Sequence, residues 1–220
     1  KPSSGEILIK GKPISNDNII EVRKTVGVVF QDPDDQIFAP TVKQDVAFGP
    51  MNLGLGMEEI EKRVSESLET VRLIGFEEGA PHHLSTGEKK KVAIAGMLAM
   101  KPEVLVLDEP TAGLDPGGAM RLIKLINGMN RYLGITTIVS THEVDIVPML
   151  ADRVCIMSMG KIIGDGTPLE IFSSPELIKK THLRLPMVAQ LMEMLQEEGV
   201  PIGVKFTLEE ARDELLRVVK

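Results

Sequence analysis

Apolar positions along the chain follow two rhythms. VGVVF at 26–30, VLVL at 104–107 and ITTIVS at 135–140 are short runs rich in adjacent β-branched and aliphatic residues. Such runs predict strands buried on both faces. Between residues 41 and 75 the rhythm is helical, with Ile60, Val64, Leu68 and Val71 recurring among Glu and Lys. Ser85-x-x-Glu88 matches a capping box, so a helix is predicted to begin at Ser85, continue to Met100 and end at Pro102. Pro116 suits the first position of another helix, reaching about Tyr132, and a further helix is predicted from Glu143. Residues 5–9 read as a short strand ended by Gly11 and Pro13, and RVCIMS and KIIGDG as a hairpin turning on Met159-Gly160.

Strands alternating with helices imply an α/β fold with a mainly parallel sheet. Beyond Pro168 the strands stop. Leu177, Leu183, Val188, Leu191, Leu195, Leu208, Leu215 and Val219 supply helical stripes, interrupted at 199–205. The chain therefore divides into a domain at 1–166, whose helical part spans about 41–101, and a helical appendage at 167–220.

Composition narrows the function. Apolar content of 43% and charge of 26% are ordinary for a soluble domain. A net charge of −7, no Trp and one Tyr, Tyr132, exclude a generic nucleic-acid surface, which needs clustered cations or stacking rings. Cys155 is the only cysteine, so no intrachain disulfide forms, which suits a reducing compartment. The longest apolar run, VAIAGMLAM, stops at Lys101 and is too short to cross a bilayer.

Candidate chemistry gathers at the predicted strand ends, where open α/β sheets collect their ligands. Asp108 closes an apolar strand and suits a Mg²⁺ ion held directly or through water. Glu109 points the other way and suits a general base. Gly113 then allows a turn that brings in Asp115. His142 follows the next strand, where an imidazole, neutral or protonated, can meet a terminal phosphate. Gln31 closes the first strand and could coordinate metal or position a water. The helix start at Ser85, Thr86 and Gly87 offers backbone N–H groups to an anion. Lys89, Lys90 and Lys91 read as a solvated face, and His82 and His83 as loop residues without ligand partners.

These stretches together resemble the ABC ATPases. FQDPDDQIF is similar to a Q-loop, LSTGEKKKVAIAG to the signature motif, VLVLDEP to Walker B, AGLDP to the D-loop and STHEVD to the switch-histidine loop. Residues 31–55 and the tail from Pro175 resemble more narrowly the ATPases of cobalt, nickel and vitamin importers of the energy-coupling-factor type. The resemblance implies a P-loop ATPase core, a RecA-like mainly parallel sheet plus helical subdomain, with a small C-terminal dimerisation appendage. ATP and Mg²⁺ are the implied ligands. Asp108 would hold Mg²⁺, Glu109 would polarise the attacking water, His142 would contact the γ-phosphate, and Gln31 would sense metal and water. Ser85, Thr86 and Gly87, followed by Glu88, would meet the ATP held by a second ATPase subunit, with Asp115 at the seam. An integral membrane subunit is the other implied partner, which places the protein at the cytoplasmic face of the cell membrane.

The sequence departs from the family twice. Thr86 and Glu88 stand where the signature usually has Gly and Gln. The phosphate cradle G-x-x-x-x-G-K-[ST] is absent; Gly11-Lys12 and Gly160-Lys161 lack its other members. The expectation is an N-terminally truncated chain, inactive alone, from an importer ATPase. A non-catalytic module of the same fold and a DNA-repair ATPase are the alternatives. The short spacing from Gln31 to Ser85 leaves no room for the latter's coiled coil.

Overall fold

The computed structural model describes residues 2–181 and 183–219. They pack as two compact units, Lys1–Thr141 and His142–Lys220.

In the first unit, β1 (Leu8–Ile9) and β2 (Lys12–Pro13) form an antiparallel hairpin. α1 (Ile19–Thr25) leads into β3 (Val26–Val29). α2 (Val42–Asn52) starts at Thr41, whose side chain accepts from Gln44 N, and α3 (Met57–Thr70) follows. α4 (Thr86–Leu98) precedes β4 (Val104–Asp108), and α5 (Pro116–Leu133) precedes β5 (Thr136–Ser140). The three strands form a parallel sheet in the order β3-β4-β5, in register Val28↔Val106↔Ile138. α2, α3 and α4 pack on one another, and α4 lies against β3. The approach is close: a Cβ on Gly27 would meet Leu105 Cδ1 at 3.1 Å and Met97 Cβ at 3.3 Å. A larger residue there would push the helix off the sheet.

Three elements differ from the sequence reading. The strands are not buried on both faces. Gly27, Val29, Leu105 and Leu107 are covered, but Val28 is 40% and Ile138 54% exposed. The apolar runs meet a helical layer on one side only. The helix predicted from Glu143 is a 3-10 turn, Val144–Ile146, and one turn of α-helix, α6 (Val147–Leu150). The strand predicted at 5–9 is reduced to β1, because Gly5, Lys10 and Gly11 all take positive φ.

The second unit holds α6, the antiparallel hairpin β6 (Val154–Ser158) and β7 (Lys161–Gly166), and helices α7 (Pro168–Phe172), α8 (Pro175–Thr181), α9 (Met187–Glu197) and α10 (Leu208–Val219). Hairpin and helices share a core: Ile156 of β6 packs with Ile171, Phe172, Ala189 and Phe206. The compact unit thus begins before the composition changes at 166/167. Among the described residues no helix is long and apolar enough to cross a membrane.

Candidate functional site

The first unit brings most of the singled-out residues into two neighbourhoods. One is the carboxyl edge of the sheet. Asp108 and Ser140 are register partners at the ends of β4 and β5, both exposed. Ser140 Oγ donates to Asp108 Oδ1. Glu109 follows with φ +42°, a left-handed conformation that costs a non-glycine residue about 1–3 kcal/mol unless its surroundings hold it. They do hold it. Glu109 N donates to Ser140 O at 3.1 Å and to Ser140 Oγ at 3.2 Å. Its carbonyl accepts from Ala112 N at 3.1 Å and from Lys90 Nζ at 3.3 Å. Gln31 lies past β3, exposed, and its carbonyl accepts from the same Lys90 Nζ at 3.0 Å.

Lys90 corrects the sequence reading. It is 3% exposed and belongs to no solvated face. Burial lowers its pKa below the ordinary lysine value, an effect that the charges of Asp32 and Glu109 oppose. Lys89 is also largely covered and pairs with Asp34 at 2.7 Å. The signal was present: Lys90 stands three and four residues before the buried Ala93 and Ile94, on the inward stripe of α4. Three lysines in a row concealed it. In the sequence Ser140 shows only as the end of its strand.

The second neighbourhood is a cavity of about 440 Å³ beside the N-terminus of α4, lined by Ser85, Thr86, Gly87, Glu88 and Asp115 together with Lys91 and Arg121. The capping box is formed. Ser85 Oγ donates to Glu88 Oε2 at 2.6 Å, and Ser85 N donates to the same oxygen at 2.9 Å. These bonds hold the Glu88 carboxyl below its usual pKa, the hydroxyl contributing most. Glu88 in place of the family's Gln therefore has a local reason. Gly87 does not: a Cβ there would make only an ordinary contact, 3.6 Å from Leu114 Cδ2. The chain's own packing does not demand glycine at 87, whereas close approach from outside would. Desolvation, and then the charge of Arg121, lowers the pKa of Lys91. Two cations and a helix N-terminus on one cavity can draw an anion, opposed by the Glu88 and Asp115 carboxylates of the same lining.

Asp115 caps α5, its carboxylate accepting from Gly118 N at 2.9 Å. That bond is the first cause of its lowered pKa. His142 is exposed and opens the second unit. His82 and His83 lie in a 3-10 turn, their rings in edge contact with centroids 4.2 Å apart.

Among the described residues no three His, Cys, Asp or Glu side chains gather to hold a metal. Mg²⁺ needs no such cage, since it is held through one or two carboxylates, substrate phosphates and retained waters. Asp108, exposed and steadied at one oxygen, fits that use.

Comparison with known proteins gives the same answer. The family model for ABC transporters matches residues 1–112. The chain is 59% identical to the energy-coupling factor transporter ATP-binding protein EcfA of Methanocaldococcus jannaschii, over all of this chain and 80% of that one. It is similar in structure to cbiO1 of Clostridium perfringens, part of the ABC transporter complex cbiONQ, with a TM-score of 0.74 and 49% identity over 88% of this chain and 78% of that one. It is also similar to the dimeric ATP-binding cassette MJ0796 bound to ADP and Pi, with a TM-score of 0.67 and 27% identity over 76% of this chain and 75% of that one. Sheet, motifs and relatives agree that the chain belongs to the ABC transporter ATP-binding proteins, the ABC-type ATPases, in their energy-coupling-factor, CbiO-like group.

Proposed function

We propose that this chain provides the water-activating and signature surfaces of the ATP-hydrolysing subunit of a membrane importer, with cobalt or nickel ions as cargo ahead of a vitamin. The observation that carries the reading is the hydrogen-bonded edge of the sheet, where Ser140 holds both the Asp108 carboxylate and the Glu109 amide. Asp108 carries the Mg²⁺ shell, and that ion, when bound, neutralises charge on the transferring phosphoryl group. Glu109 orients and deprotonates the attacking water. His142 contacts the γ-phosphate, and Gln31 senses metal and water from the end of β3. Ser85, Thr86 and Gly87 engage the ATP held by a second ATPase subunit, identical or paralogous. Lys91 and Arg121 favour the anion's approach, and Asp115 faces the partner at the seam.

The protein works at the cytoplasmic face of the membrane. Phe38 and Phe48, 65% and 47% exposed and in edge contact at 4.7 Å, support docking of the membrane subunit against α2 and the loop after Gln31. ATP drives closure of the dimer and hydrolysis reopens it. Taking such an equilibrium from mostly open to mostly closed needs about 5.5 kcal/mol of differential binding, which two shared nucleotides can supply.

The absent phosphate cradle sets the test. Without its lysine and backbone nest the β- and γ-phosphates lose most of their donors. Calorimetric titration of Mg²⁺-ATP into the 220-residue chain is therefore expected to show no binding. Fusion behind a G-x-x-x-x-G-K-[ST] phosphate-loop segment is expected to restore it. Clear micromolar binding by the chain alone would mean that other residues hold the phosphates and would refute the assignment of a missing cradle.

A further inference from the structure

We propose that Lys90 is a positioning residue. Its ammonium ties the Gln31 and Glu109 backbones to the helix that presents Ser85, Thr86 and Gly87. The inference takes its functional meaning from the roles given above to Gln31 and Glu109, but its geometry stands without them.

A buried ammonium is costly unless its donors are used. Lys90 uses them on two carbonyls, Gln31 O at 3.0 Å and Glu109 O at 3.3 Å. These acceptors lie just past the ends of adjacent parallel strands, β3 and β4. One rigid point on α4 therefore fixes both loop starts. At Glu109 the tie completes a clamp: Ser140 holds the amide and Lys90 the carbonyl of a residue in a left-handed conformation. Lys89, through Asp34, fastens the first turn of α4 to the loop after Gln31 as well. An anion drawn to the start of α4 thus acts on an element already bonded to both segments. Displacement of that helix start moves the Gln31 and Glu109 backbones together.

The test is amide hydrogen exchange on the 220-residue chain and its K90M and K90Q variants. K90M keeps the aliphatic stem and loses the donors. It is expected to speed exchange about tenfold or more at Ala112, bonded to Glu109 O, and at Gln36 in the turn after Gln31, with α5 amides unchanged. K90Q retains one donating group and is expected to restore part of the local protection. Acceleration spread evenly over the chain, or none at these two amides, would overturn the proposal. Should K90M not fold, the wild-type lysine ammonium protons decide by NMR. Those of Lys90 are expected to exchange with water about tenfold more slowly than those of exposed Lys24. Equal rates would overturn the tie. Neither readout involves nucleotide, so failure here is distinct from failure of the ATPase reading.

Discussion

Ser85 and Glu88 close the first turn of α4, each side chain accepting the other's backbone N–H. The spacing that marks a capping box needs only the backbone of one helix turn, so it was legible, and both reciprocal bonds are present. Lys90 and Ser140 were not legible in the same way. Their partners lie 19 to 59 residues away for Lys90 and 31 to 32 for Ser140, so the bonds exist only once the strands align. The cap carries a pH prediction. Glu88 has a lowered pKa when folded, so its contribution is complete above the ordinary value of 4.5 and is lost as pH falls through the folded value. S85A is expected to cost about 0.5–2 kcal/mol near neutrality. The gap to wild type should narrow as the medium is acidified, as followed by denaturant unfolding across that range. A gap independent of pH would contradict the account.

At the scale of elements, the helical pattern at 41–75 marked the region of α2 and α3 without dividing it, the capping box and Pro116 marked the starts of α4 and α5, and apolar runs marked the three strands. Those runs could not tell that only one sheet face is covered. A run such as VGVVF has the same composition whether one layer or two lies against it, and Val28, with 40% exposure, shows that the covering is set by what packs, not by the run. The helix predicted from Glu143 shrank because the acidic and apolar residues at 143–150 supply no sustained helical stripe, and Pro148 follows within the first turns. The covered face makes its own prediction. G27A places a methyl 3.1 Å from Leu105 Cδ1 and 3.3 Å from Met97 Cβ, tighter than side chains normally pack. The expected loss is about 1–3 kcal/mol, read by urea unfolding with m unchanged. A neutral or stabilising G27A would mean α4 is not seated against β3 as described.

For the whole molecule, composition placed a boundary at 166/167 where packing places one at 141/142. Sequence alone could not tell that the β6–β7 hairpin would give its apolar face to the helices after it, since hairpin and helices meet only through a shared core. That core also decides how the proposed dimerisation role is tested. Deleting residues 175–220 would remove Ala189 and Phe206 from beside Ile156 and unravel the unit itself. Surface change is cleaner. Met187, Leu191 and Met194 form an exposed stripe along α9, at 65%, 53% and 63%. Their joint replacement by lysine is expected to weaken self-association in sedimentation velocity while leaving the thermal transition in place. Unchanged association would remove this face from the dimer.

The central claim is that Glu109, held by Ser140 and Lys90, activates the water that attacks ATP. The most direct measurement is ATP turnover by the chain fused behind a phosphate-loop segment, compared with its E109Q variant under saturating Mg²⁺-ATP. The account predicts a loss of roughly 10²–10⁴-fold in kcat with nucleotide affinity retained and the closed dimer accumulating. Turnover by E109Q equal to that of the parent fusion would contradict it.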